Sequence, residues 1–453
     1  MKRAMQAVLL AAAVGAVAAA PAAAQTGSMF IHDATVMTAT HGTLDHTSIL
    51  VRDGKIAAIG ERLSAPAGVP VIEGAGKYVI PGIIDEHSHT MIDGGVNEGA
   101  PSVSAMAHIK DVLNPHDISL YRQLAGGVTI IHVLHGSANP IGGLDAVVRL
   151  KWGQPVAAML YPDAPQGIKM ALGENPKRSN RFPGETGPQR YPATRQGVEN
   201  VLFTAFTRAR EYQHRWADYR AALAQGEHPE PPRDNLDLDP LVQILAGKIL
   251  VHAHSYRNDE MLMLLDLADH FGFKIRTFEH GLEGYKIWPE IKAHGAGVST
   301  FADMWEYKNE ASDSIAYAPA LLTKKGVRVA VNSDSDERAR RLYQEAAKGI
   351  HYGGLSEQQA LDMITLNPAW MLGIERTTGS IDVGKDADLA IFNGDPFAPA
   401  SMVTMTIVDG VVYFDRAKDL AARHDAAWYE RNFKPGGSFF GNLAAGHEGG
   451  NEQ

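Results

Sequence analysis

The stretch Val79-Ile80-Pro81-Gly82-Ile83-Ile84-Asp85-Glu86-His87-Ser88-His89 decides how this chain is read. It is an apolar run of strand length that ends in His-x-His. In a strand, residues i and i+2 share a face, so His87 and His89 project together from the C-terminal end, where two imidazoles can grip one metal ion. The form recurs further along. Ile249-Leu250-Val251 runs into His252-Ala253-His254, Lys274 to Phe278 runs into Glu279-His280-Gly281, and Val327 to Val331 runs into Asn332-Ser333-Asp334. In a parallel α/β barrel the C-terminal ends of all strands lie on one face, which is where such folds carry their active sites.

Outward from these motifs, residues 82–375 alternate strand-length apolar runs with helical patterns, as in Gly127-Val128-Thr129-Ile130-Ile131-His132-Val133 after a helix from Pro115. That alternation predicts a parallel barrel or a doubly wound sheet. A helical pattern from Thr194 to Gln225, stopped by Gly226 to Arg233, reads as an insertion at about 194–235. Short alternating runs flank the barrel region at 25–81 and 376–415, each with an Asp-Gly hairpin signal, Asp53-Gly54 and Asp409-Gly410. A C-terminal helix and a Gly- and Glu-rich tail fill 416–453. Residues 1–24, with Lys2-Arg3, the apolar run Ala7 to Ala20 and Ala22-Ala23-Ala24, have the form of a secretory signal peptide, so a secreted, periplasmic protein is expected.

Composition narrows the function classes. Of 453 residues 45% are hydrophobic and 21% charged, which allows a large core and excludes a disordered chain. A net charge of -10 leaves no cation surplus for nucleic acid. With no cysteine, thiolate metal sites, disulfides and Cys nucleophiles are all excluded. The expected partner is a small-molecule or peptide-like substrate, with no nucleic acid, no membrane after signal removal, and a homo-oligomer left open.

The motifs together resemble the metal-dependent amidohydrolase superfamily, in its branch similar to imidazolonepropionase and the Xaa-Pro and Xaa-Arg dipeptidases. The resemblance rests on Pro81 to His89, Gly127-Val128-Thr129, His252-Ala253-His254, Glu279-His280-Gly281, Ser333-Asp334 and the closing run from Leu366 to Leu389. It implies an α/β fold, a (β/α)8 TIM-type barrel with a small β-sandwich built from both chain ends. It further implies that His87 and His89 bind one metal, that His252 and His280 bind a second, and that Asp334 is ligand and proton shuttle. His254 is left to contact substrate or to pack. For a bridging ligand the sequence offers Lys169, matching by its Ile-Lys-Met context a lysine that relatives carry as a carbamate, and Glu174, which needs no modification and is preferred.

Imidazole and carboxylate ligands suit Zn2+, one or two ions per chain, with Mn2+, Fe2+ or Co2+ as alternatives. The implied reaction is hydrolysis of an amide, lactam or peptide-like C–N bond by metal-activated hydroxide. Deamination of an amidine-like ring at a mononuclear site is the rival, and a non-catalytic binding protein is the third reading. For His132 and His135, beside a strand end, a structural role is preferred to an active-site loop.

Overall fold

The structure, a computed structural model, describes residues 27–178, 190–304 and 307–423. The expected signal peptide and most of the C-terminal tail lie outside the described residues. Among the described residues no helix is long and apolar enough to cross a membrane.

Both flanking segments join one sheet. Strands Met29–Met37, Thr43–Arg52, Lys55–Gly60, Val71–Glu73 and Tyr78–Pro81 come from the N-terminal side, and Leu389–Phe392, Val403–Val408 and Val411–Asp415 from the C-terminal side. The seam is the antiparallel pair Tyr78–Pro81 with Leu389–Phe392, in which Leu389 faces Pro81. Asp53-Gly54 and Asp409-Gly410 make the two expected hairpins, with all four residues at positive φ as a type I′ turn requires. The expected sandwich is hydrogen-bonded as one eight-stranded sheet. Its core includes Ile31, Ile49, Val79, Leu389 and Ile407, so residues from both chain ends bury one another.

Pro81 leads directly into Ile83–Ser88, the first strand of the second unit, a TIM-like barrel. Strands Gly167–Ala171, Leu250–Ser255, Ile275–His280, Gly297–Thr300 and Arg328–Val331 form one parallel series, and Ile83–Ser88 pairs in parallel with Val128–Val133. Between the two arcs runs the segment 141–149. Ile141–Leu144 is antiparallel to Gly167–Ala171 and Ala146–Arg149 is antiparallel to Val128–Val133. This departs from an all-parallel (β/α)8 pattern, and the cause is local: the link 134–140 is shorter than the dozen or so residues that a parallel crossover needs. The arcs meet through Asp145 N–H on Gly167 O (3.1 Å) at one edge and Asp334 N–H on His87 O (3.1 Å) at the other.

The insertion is the helix Arg195–Ala224, close to the expected Thr194 to Gln225. Thr194 caps it by accepting the Gly197 N–H at 3.1 Å. Its first half is anchored by Val198, Val201, Leu202, Ala205, Phe206 and Ala209 at helical spacing, with Phe206 stacked on Phe273 at 4.5 Å. Beyond Tyr212 it is largely solvated.

Candidate metal centre

Four histidines and one aspartate converge at the strand ends. His87 Nε2 and His89 Nε2 lie 3.7 and 3.6 Å from Asp334 Oδ1, and His280 Nε2 lies 4.0 Å from Asp334 Oδ2. The His280 ring is 4.7 Å from the His87 ring and 4.7 Å from the His254 ring. Lys169, fully buried, brings Nζ within 3.2 Å of His87 Nε2. Two of these residues hold the left-handed backbone region that side chains rarely adopt, His280 at φ +65° and Asp334 at φ +43°. Strain of this kind persists only where surroundings over-determine it. At Asp334 they do: Asp85 accepts the Ser333 N–H at 3.0 Å and the Ser333 hydroxyl at 2.5 Å, while Asp334 N–H is held by His87 O.

The hydrogen bonds of the rings fix which nitrogen faces inward. His89 Nδ1 lies 2.9 Å from Leu134 O, a carbonyl that can only accept, so the proton is on Nδ1 and the Nε2 lone pair faces Asp334. His87 Nδ1 is engaged by Glu279 Oε2 at 3.0 Å. Burial, reinforced by Lys169, pushes His87 and His280 well below the usual imidazole range, and burial with His280 and Lys169 does the same to His254. Neutral imidazoles are the state that metal ligation requires. His254 Nε2 and His280 Nδ1 are moreover buried without a hydrogen bond. Such nitrogens are costly unless something satisfies them, and nitrogen and carboxylate donors in this arrangement fit a divalent ion.

Comparison with known proteins identifies the family. The amidohydrolase family profile matches residues 296–414. An amidohydrolase of Thermotoga maritima MSB8 is 31% identical, with a TM-score of 0.77 over 86% of this chain and 100% of that one. The chain belongs to the amidohydrolase family. It is thereby a hydrolase acting on carbon–nitrogen bonds. Amidohydrolase tasK of Hapsidospora irregularis is 30% identical over 84% of this chain, which spans 41% of that longer protein. Imidazolonepropionase of Shewanella oneidensis is 23% identical over 79% of this chain and 89% of its own length.

Two of the residues expected as ligands in this amidohydrolase, His252 and Glu174, fall outside this convergence. His252 and His254 share a face of Leu250–Ser255, but only His254 reaches the ring around Asp334. His252 lies one step deeper, with Nδ1 3.2 Å from both Glu86 Oε1 and Glu279 Oε1. Lys169 is its ladder partner and reaches His87 only because its side chain is long. Glu174 sits in the turn after Gly167–Ala171, where its N–H is accepted by Glu310 Oε2 at 2.7 Å. It belongs to neither cluster of potential metal ligands found among the described residues, whereas His87, His89 and Asp334 form one. His135 accepts the Glu98 N–H on Nε2 at 2.8 Å and engages Gly136 O through Nδ1 at 2.9 Å, so both nitrogens serve the loop.

Sequence reading missed the deeper cluster of Glu86, His132, Asp145, His252 and Glu279. His132 joins Asp145 Oδ2 at 2.6 Å, and burial, which opposes the charge, is overcome by Asp145 and Glu86, raising His132 to about 10. Burial pushes Glu86 up, but His132 and His252 outweigh it and hold it below the usual carboxylate range. Glu279 is pushed up to about 8 by burial and by Glu86. A signal was present in the adjacent acids Asp85-Glu86, since two acids inside an apolar strand demand partners.

Proposed function

We propose that this amidohydrolase cleaves an amide, lactam or peptide-like C–N bond at a centre of one or two divalent ions, zinc by donor type, held by His87, His89, His254, His280 and Asp334. The observation that carries the reading is the convergence of His87 Nε2 and His89 Nε2 on one oxygen of Asp334, with each Nδ1 engaged from behind. His254 takes the place that the resemblance gave to His252. When bound, such an ion lowers the pKa of water from about 15.7 toward about 7 and polarises the carbonyl under attack. Asp334, one-third exposed, takes the proton of the attacking water on a carboxylate oxygen and delivers it to the leaving amine. The imidazoles stay neutral and only hold and orient. Lys169 is the better-placed bridge, as a carbamate formed when its neutral amine adds to carbon dioxide and loses a proton. Glu174 stays in the turn after Gly167–Ala171, held through its N–H by Glu310 Oε2.

The same reading closes the two arcs into one barrel of eight strand positions, supported by the hydrogen bonds at both edges. Export to the periplasm belongs to it too, supported by the sequence of residues 1–24.

The test is elemental analysis of the purified mature chain with a hydrolysis screen of N-acyl amino acids, dipeptides and cyclic amides. We expect about one to two zinc-like ions per chain, turnover lost on chelation and restored by metal. Asp334→Asn should keep most metal while turnover falls at least about a hundredfold. A metal-free chain that gains no activity from added metal overturns the proposal.

A further inference from the structure

Glu86, His132 and His252 lie close enough to embrace an ion of their own, in a wholly buried setting. The hydrogen bonds argue against it. His132 Nδ1 meets the Glu86 carbonyl at 2.9 Å, and a carbonyl can only accept. His132 Nε2 meets Asp145 Oδ2 at 2.6 Å, while Asp145 Oδ1 already takes the Gly167 N–H at 2.9 Å and the Gln166 amide at 3.0 Å. With Asp145 Oδ1 taken by donors and the Glu86 carbonyl an acceptor, His132 donates from both nitrogens. An imidazolium has no lone pair for a metal. The deep cluster is therefore a frame in which Asp145, His132, Glu86 and His252 follow one another, with the His132 and His252 rings 4.5 Å apart.

Glu279 is where this frame touches the metal centre. Its Oε1 lies 3.2 Å from His252 Nδ1 and its Oε2 lies 3.0 Å from His87 Nδ1, all four atoms on side chains at most 1% exposed. Ligation through His87 Nε2 leaves the ring proton on Nδ1, and that N–H then points at Glu279 Oε2. A carboxylate behind an imidazole fixes its tautomer and rotation and raises its basicity as a ligand. We infer that Glu279 is a positioning residue for His87, braced on its other oxygen by His252 and the frame behind it. The inference rests on the metal reading above. It assigns no reacting role to Glu279.

Glu279→Gln separates this role from simple packing. An amide has the same shape, yet it can accept at one end only, and its NH2 must face a ring N–H at the other. The experiment strips the full mature chain of metal and titrates it with zinc against a chromophoric chelator. In Glu279→Gln, zinc affinity should fall about 10- to 100-fold, the usual loss when a ligand's outer partner is removed. Asp145→Asn, at the far end of the frame, should lower the urea midpoint and leave zinc affinity near that of the parent chain. Equal zinc affinity in Glu279→Gln and the parent overturns the inference, as does an Asp145→Asn variant that loses zinc as severely. If Glu279→Gln does not fold, the zinc-loaded parent labelled with 15N-histidine still decides, the His87 signal being identified by its loss in His87→Gln. His87 ligating through Nε2 with a hydrogen-bonded Nδ1–H supports the role, and ligation through Nδ1 overturns it. A parent chain that binds no zinc would instead defeat the metal reading itself.

Discussion

Replacing Ser333 by alanine should loosen the metal centre without touching any ligand. The Ser333 hydroxyl donates to Asp85 Oδ2 at 2.5 Å and accepts the Ser335 N–H at 3.2 Å. At pH 8 Asp85 is mostly ionised, burial having pushed it up to about 7 against the pull of Ser333. The first bond is then charge-assisted and contributes about 1.5–3 kcal/mol, and the second about 0.5–1.5 kcal/mol. The two together place the loss at about 2–4.5 kcal/mol, a large part of the roughly 5–15 kcal/mol that holds a typical domain folded. The site should register it separately. Asp334 follows Ser333 at φ +43°, a conformation that costs about 1–3 kcal/mol and stays only while its neighbours insist. With the clamp halved, Asp334 can relax away from His87 and His89. Urea unfolding at pH 8 should show the lower midpoint, and zinc titration of the same preparation should show weaker binding. A Ser333→Ala chain within about 0.5 kcal/mol of its parent, the range of an indifferent surface change, would refute the clamp.

Lys169→Ala should lose metal and turnover and recover part of both when small carboxylic acids are supplied to mimic a carbamate, whereas Glu174→Gln should keep its metal; the reverse pattern, read by elemental analysis, would return the bridge to Glu174. Glu260, in neither cluster of potential metal ligands, offers a pH test. Burial and the nearby Glu310 raise it from 4.5 to about 7. The unfolded chain then releases this proton at lower pH than the folded one, so stability is fully present below about 4.5 and is lost as pH rises through about 7, by at most about 3 kcal/mol. Glu260→Gln, neutral throughout, should flatten that decline in urea midpoints between pH 5 and 8.5; parallel curves for parent and variant would contradict it.

The fold was legible where local chemistry has only one outcome. Asp-Gly turns fixed both hairpins, the helical pattern from Thr194 located the start of the long helix, and strand-end histidines marked the candidate site. Depth within the barrel was not legible. Alternation assigns a face to His252 and His254 but not the layer each occupies along the strand. In Ile83–Ser88 even the face is hidden, because all six residues are buried and the pairing with Val128–Val133 shifts register twice. Glu86 therefore could not be phased against His87 from pattern alone. The antiparallel segment 141–149 was equally concealed, since a strand's direction is not written in its residues, only in the length of the link before it.

The two clusters use one residue type for opposite purposes. His87, His254 and His280 are pushed down; His132 and His252 are pushed up; all five are at most 3% exposed, so burial alone cannot distinguish them. What differs is the company. Lys169 stands among the upper three and adds to burial in pushing them down, while Asp145 and Glu86 raise His132, and Glu279 and Glu86 raise His252. Neutral rings above provide lone pairs, and a charged frame below provides fixed orientation without competing for the metal. A positive Lys169 beside His87 Nε2 would repel the cation for which the neutral rings are prepared. Conversion of that amine to a carbamate removes the repulsion and adds an anion at the same point. On the proposed reading, Lys169 thus serves both states, keeping the ligands deprotonated before metal arrives and bridging after it.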